Sequence, residues 1–190
     1  GDGGTSLVML AAGGTGGHLF PAQALAEELI RRGHTIHLLT DERVRDYGKA
    51  FPAAATHIVP SASLSLAQPL QVPGRLMRLL RGYAAAHRVF RAQRPRAVVG
   101  FGGYPSLPPL YAATAAGIAS LVHEQNSVLG RANKLLAPRV RHVATSFETV
   151  FGVPDEVKPR LVLTGNPVRG AVLAVAGSAY PAVGAGPLEL

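Results

Sequence analysis

Cysteine is absent from the 190 residues. That excludes disulfides, thiol nucleophiles and thiolate metal sites, and it permits a reducing compartment. The seven histidines make no metal pattern: His34 and His37 flank a strand start, and His123-Glu124 lacks the second histidine that a zinc helix carries four residues after the first. No metal site and no cofactor is therefore expected. No run approaches the roughly 18 apolar residues of a membrane span. Gly1–Ser6 is too short and polar for a signal peptide, so a soluble or peripheral protein is expected. Carboxylates are missing from one long stretch. Between Asp46 and Glu124 there is none, while Lys49, Arg75, Arg78, Arg81, Arg88, Arg91, Arg94 and Arg96 all lie there. Charges cancel elsewhere, so this region carries the whole formal excess of +8. Such a local positive field attracts phosphate-rich partners: nucleic acid, anionic lipid or a diphosphate. With no recognition motif or aromatic platform beside it, nucleic acid is not an expected partner.

What is present suffices for a core: 47% of the residues are hydrophobic, in a length typical of one domain. The chain is organised around Gly13-Gly14-Thr15-Gly16-Gly17-His18. Before it, Leu7–Ala12 is a continuous apolar run, the mark of a buried parallel strand. After it, Pro21 falls in a first helical turn, and Leu25, Leu29 and Ile30 recur at helical spacing up to Gly33. The glycines thus form a strand-to-helix turn whose N–H groups and helix dipole suit an anion, phosphate above all. A tight turn with close strand–helix packing explains the same glycines without a ligand. The spacing departs from two standard loops: a dinucleotide fingerprint wants a third glycine where Leu19 stands, and a Walker loop wants Gly-Lys-Ser/Thr where Gly17-His18-Leu19 stands.

Further strands are expected at 35–40, 56–59, 96–101, 119–122, 140–144 and 161–163. A short charged helix follows Asp41 through Lys49, and residues 61–74 form a long exposed loop. From Gly74 a helix begins whose Leu76, Leu79, Leu80, Tyr83, His87 and Phe90 share one face, with Arg78, Arg81 and Arg88 opposite. Helices are also expected at 107–116 and near 128–136, with a short turn at Ser146. Alternating strands and helices imply a doubly wound parallel α/β sheet with helices on both faces and ligands held beyond the carboxyl ends of the strands. With the usual strand order 3-2-1-4-5, Gly13–His18, Gly102–Ser106 and His123–Asn126 share one rim.

Taken in order, GGTGGH at 13–18, GFGGYPS at 100–106, HEQN at 123–126 and GNPVR at 165–169 closely resemble the amino-terminal half of the MurG family of bacterial glycosyltransferases. The resemblance spans roughly residues 7–170, and four ordered motifs are far more specific than one glycine loop. It implies a Rossmann-like half of a two-domain GT-B enzyme. The implied reaction is an inverting, metal-free transfer of N-acetylglucosamine from UDP-N-acetylglucosamine to lipid I, giving lipid II for peptidoglycan. It also implies a peripheral location on the cytoplasmic face of the bacterial inner membrane. Residues 7–173 are then the acceptor-binding domain, and 174–190, rich in Ala, Gly and Pro, a linker into a donor-binding domain that is missing.

The resemblance assigns Thr15, Gly16, Gly17, Asn126 and Arg169 to the donor side of the cleft, with an exposed linker arginine as the plain alternative for Arg169. The glycine loops suit the acceptor diphosphate through Gly13, Gly14, Gly102, Gly103 and Tyr104. His18 is the expected catalytic base, with helix capping as its alternative; Glu124 is the rival base, though His123 and Glu124 read equally as a buried pair fixing the loop after the fifth strand. Arg75, Leu76, Arg78, Leu79 and Arg81 are expected to meet an anionic membrane surface, unless the helix simply packs with a solvated arginine face. Two other functions stay open: a dinucleotide-binding oxidoreductase domain with Asp41 as its ribose-binding acid, and one subunit of a split glycosyltransferase. A hydrolase with paired carboxylates is disfavoured, since Glu124 stands alone at the rim unless Asp41 joins it.

Overall fold

The computed structural model describes residues 5–13, 15–44, 50–63 and 69–176. Among them seven parallel strands form one sheet: β1 Leu7–Ala11, β2 Thr35–Thr40, β3 Ala55–Ile58, β4 Ala97–Gly100, β5 Ala119–Glu124, β6 His142–Thr145 and β7 Leu161–Leu163. Their order is β3-β2-β1-β4-β5-β6-β7, so the chain reverses direction across the sheet between β1 and β4. The crossovers are α1 Gly16–Arg31, α2 Val72–Gln93, α3 Leu107–Ala115 and α4 Arg131–Leu136, and α5 Gly170–Ala176 follows β7.

Both faces of the sheet are covered, which is why its strands are continuously apolar. Along β1, Met9 and Ala11 join a core with Leu107 and Leu110 of α3 and Ala86 and Phe90 of α2. Val8 and Leu10 point the other way, to Leu19, Ala22 and Ala26 of α1. That alternation on a two-sided sheet separates two cores with one strand.

Helix α2 keeps Leu79 and Phe90 of the expected face against the core but is rotated so that Gly82 and Ala86 make the contact. Gly82, Ala86 and Phe90 are its buried residues, whereas Leu76 and Leu80 are each 54% exposed. Close approach decides this: a Cβ on Gly82 would lie 1.9 Å from the Pro60 carbonyl oxygen and 3.1 Å from Pro108 Cβ. Small residues let α2 sit down on its neighbours, and the larger leucines are left beside the contact. Other boundaries also move. β5 runs on through His123 and Glu124, because both pair with β6 opposite Ala144 and Thr145. Val128 bridges to Phe151 in place of starting α4. Of the charged helix after Asp41, only a single turn at Glu42–Val44 falls within the described residues, and 45–49 lie outside them. α5 includes Ala174–Ala176, the first three residues of the expected linker, and the rest of that linker lies outside the described residues.

Candidate functional site

Because β1, β4 and β5 are neighbours, the loops beyond their carboxyl ends meet. Thr15 precedes α1 in an extended conformation and makes no side-chain cap, and Gly16, Gly17 and His18 form the first turn. His18 does not cap that helix either. Its Nδ1 lies 3.2 Å from Gln125 Oε1, after β5, and its ring lies against the loop after β4. Cβ atoms on Gly102 and Gly103 would each sit 3.2 Å from a His18 ring carbon, and both residues have positive φ, +86° and +71°. These glycines therefore seat an imidazole as well as turning the chain. Gly13 is buried, and a Cβ there would meet Thr40 Oγ1 at 2.8 Å and Pro105 at 3.2 Å. Packing alone explains that glycine, while Gly14 lies outside the described residues. Tyr104 packs against the core and accepts a 2.6 Å hydrogen bond from Ser61 Oγ on its carbonyl.

Glu124 is not at the rim. It is 2% exposed, and its carboxylate accepts from Asn126 N and Nδ2, Gly130 N and Asn133 Nδ2 at 2.7 to 3.2 Å. Four converging donors make it the pin of the β5–α4 turn and leave it unsuited as a base. His123, 3% exposed, directs Nε2 to the Gly165 carbonyl at 3.0 Å, and its Nδ1 lies 3.0 Å from Gln125 Nε2. Burial holds His123 below the ordinary histidine pKa, against the opposing pull of the Gly165 bond and Glu124. Asn126 remains exposed with its amide tied to Glu124.

Residues far apart in the chain meet over α1. The Arg169 guanidinium carbon stands 3.9 Å from the centroid of the Phe20 ring, so Arg169 is held and is no loose linker residue. Gly17, Phe20, Asn166 and Arg169 line a cavity of about 220 Å³ there. Glu27 Oε2 accepts from Gly170 N at 3.2 Å, which fixes α5 against α1. Thus Gly17 and Arg169 line one cavity and Gly16 lies by the same Phe20 ring, whereas Asn126 does not line this cavity. Phe20, Gln125 and Asn133 are site residues to which sequence reasoning gave no role. An aromatic two residues past the glycine loop was the one available signal for Phe20; nothing local marks Asn133.

The residues expected at a membrane divide. Leu76, Leu79, Leu80 and Tyr83 of α2, with Tyr111 and Leu135, line an apolar cavity of about 350 Å³. Leu79 also packs against the core, and Arg78 turns back to the Ser61 carbonyl at 2.7 Å and pairs with Glu42. Arg75 donates to Gln71 Oε1 at 2.9 Å, and Arg81 is exposed. Arg139 lies 5.0 Å over the Tyr111 ring at the far side of the groove. Among the described residues no helix is long and apolar enough to cross a membrane. Asp41, the candidate ribose acid, is 2% exposed and bound to Arg43 at 2.5 Å, so it is not offered to a dinucleotide.

A doubly wound parallel sheet with its polar loops gathered at the switch point is the Rossmann-like class of domain found as the amino-terminal half of GT-B glycosyltransferases. The model of the glycosyltransferase family 28 N-terminal domain matches residues 8–145, and the chain belongs to that family. A relative from Allorhizobium ampelinum is 51% identical over 97% of this chain and 49% of its own length. One from Rhizobium meliloti is 50% identical over the same shares. Both are named UDP-N-acetylglucosamine–N-acetylmuramyl-(pentapeptide) pyrophosphoryl-undecaprenol N-acetylglucosamine transferase. The crystal structure of Acinetobacter baumannii MurG superposes with a TM-score of 0.68 at 28% identity, over 93% of this chain and 50% of that one. The chain therefore spans about half the length of the relatives it matches.

Proposed function

We propose that this chain is the acceptor-binding half of an inverting glycosyltransferase that moves N-acetylglucosamine from UDP-N-acetylglucosamine to lipid I, forming lipid II in peptidoglycan synthesis. The observation that carries the reading is His18, seated by Gly102 and Gly103 where the loops of β1, β4 and β5 meet. In a single displacement, the acceptor hydroxyl attacks the anomeric carbon, the bond to UDP breaks, and His18 takes the hydroxyl proton. The N-terminus of α1 and the loop of Gly102 and Gly103 are assigned to the acceptor diphosphate. Gly17 and Arg169, with Thr15 and Gly16 beside them, are assigned to the donor side and Asn126 to a separate contact after β5, while the donor's main site belongs to a carboxyl-terminal domain. The groove of Leu76, Leu80 and Tyr83, with Arg75, Arg81 and Arg139 about it, rests on anionic lipid at the cytoplasmic face of the membrane, where the polyprenyl acceptor resides.

The test is a fusion of this chain to the carboxyl-terminal half of the Allorhizobium relative. Formation of lipid II from lipid I and UDP-N-acetylglucosamine is expected. A folded fusion that binds the donor and leaves lipid I unglycosylated would overturn the reading.

A further inference from the structure

Resting on the reading of His18 as base, we infer that Gln125 is a positioning residue that locks His18 in its Nδ1–H tautomer, and so presents an unprotonated Nε2 to the acceptor. The argument needs only the polarity of each atom. Gln125 Oε1 carries no hydrogen, so across the 3.2 Å contact His18 Nδ1 must donate. The amide cannot be turned round. Gln125 Nε2 lies 3.0 Å from the His123 carbonyl oxygen and 3.0 Å from His123 Nδ1. A carbonyl only accepts, so the nitrogen belongs on that side, and its second hydrogen goes to His123 Nδ1. That ring then donates from Nε2 to the Gly165 carbonyl at 3.0 Å.

The result is a directed chain running from His18 through Gln125 and His123 to the backbone beyond β7. Reversing any link sets two donors or two acceptors face to face. His123 is the fixed end, because β5 and β6 hold its backbone and its burial keeps the imidazole neutral, with Nδ1 free to accept. A free histidine side chain favours the Nε2–H form, in which Nε2 cannot take a proton. The network imposes the other form, the one a base at the rim requires.

Long-range ¹⁵N–¹H correlation spectra of the [¹⁵N]histidine-labelled chain, recorded above the range where histidines titrate, read the tautomer without any catalysis. His18 is assigned by the signals lost in His18→Gln. Wild type is expected to carry its proton on Nδ1. Gln125→Leu is expected to shift His18 mostly to the Nε2–H form. If Gln125→Leu does not fold, Gln125→Asn, too short to reach His18, takes its place with the same expectation. An Nε2–H His18 in wild type, or an unchanged tautomer in Gln125→Leu or Gln125→Asn, would each overturn the inference. Failure of the base reading shows differently: His18→Ala keeps full turnover in the fusion while the tautomer pattern stands.

Discussion

Two histidines and a glutamate at the end of β5 and the start of α1 have similar local sequence settings and quite different physical states. Glu124 and His123 are buried and saturated, and such groups stabilise only while their partners stay in place. His18 is half-buried with one ring nitrogen committed to Gln125, which leaves the other for chemistry. Replacing His18 by Ala in the fusion is therefore expected to lower kcat by about 10² to 10⁴, with the donor KM nearly unchanged. A kcat within a few-fold of wild type would remove His18 from the proton transfer. At this scale the sequence was legible where residues act in one run: His18 follows its glycine turn at the rim, and Gln125 and Asn126 follow β5 there. It was illegible where a role depends on distant partners. Glu124 reads equally as a base or as half of a buried pair with His123 until Gly130 and Asn133 are folded onto it, and Arg169 looks like a surface cation until Phe20, from the other end of the chain, lies beneath it.

Helix α2 sets the logic at the scale of elements, because its small residues make the contact and its large ones make the groove. Gly82→Ala forces a methyl against the Pro60 carbonyl, so a loss of roughly 1–3 kcal/mol or more is expected in urea unfolding. An unchanged midpoint would mean α2 stands farther from the loop after β3. The strands were readable from their apolar runs, whereas the buried face of α2 was not, since hydrophobic periodicity weights leucine over glycine and the tight contact needed glycine. The exposed leucines yield a further expectation: vesicles of anionic phospholipid bind the chain and release it as salt rises, screening acting over about 10 Å at 0.1 M. Leu76→Ser with Leu80→Ser should weaken that binding, and undiminished binding would place the lipid contact elsewhere. The edge of the sheet adds a pH dependence. His37 on β2 and His57 on β3 approach to 3.1 Å, and burial holds both below the ordinary histidine pKa, with the charge of His37 adding to the effect on His57. The unfolded chain takes up protons at about 6.5, before these folded histidines do. Their stabilisation is complete above that value and is lost as pH falls through it towards the lowered folded values. Glu28, held near about 2 by Arg31 and Arg32, does not titrate in this window. The melting temperature should thus drop from neutral pH to about pH 5.5, and His37→Gln with His57→Thr should make the drop smaller, buried His123 supplying the rest. A flat wild-type profile would refute the assignment.

The whole molecule follows from strand order. Placing β1 beside β4, and β4 beside β5, is what brings the loops after these strands to one edge; the alternation of elements implies a doubly wound sheet, and the order usual for such sheets is the one found for β1 to β5. What alternation does not encode is how much of a ligand one edge encloses. The cavity over α1 proposed for the donor measures about 220 Å³ and opens between α1 and the segment before α5, which is room for part of a nucleotide sugar. Most of the nucleotide would remain in water, and catalysis depends on holding both reactants in a reactive geometry. Two cores on a seven-stranded sheet are nonetheless enough to fold a domain of this size. The chain by itself is therefore expected to unfold cooperatively, to bind UDP-N-acetylglucosamine no tighter than roughly millimolar, about 4 kcal/mol, and to transfer no sugar to lipid I. Calorimetry and a lipid II assay on the isolated chain check these together. Micromolar donor affinity, or lipid II formed without a second domain, would move the principal donor site onto the rim around His18 and Arg169.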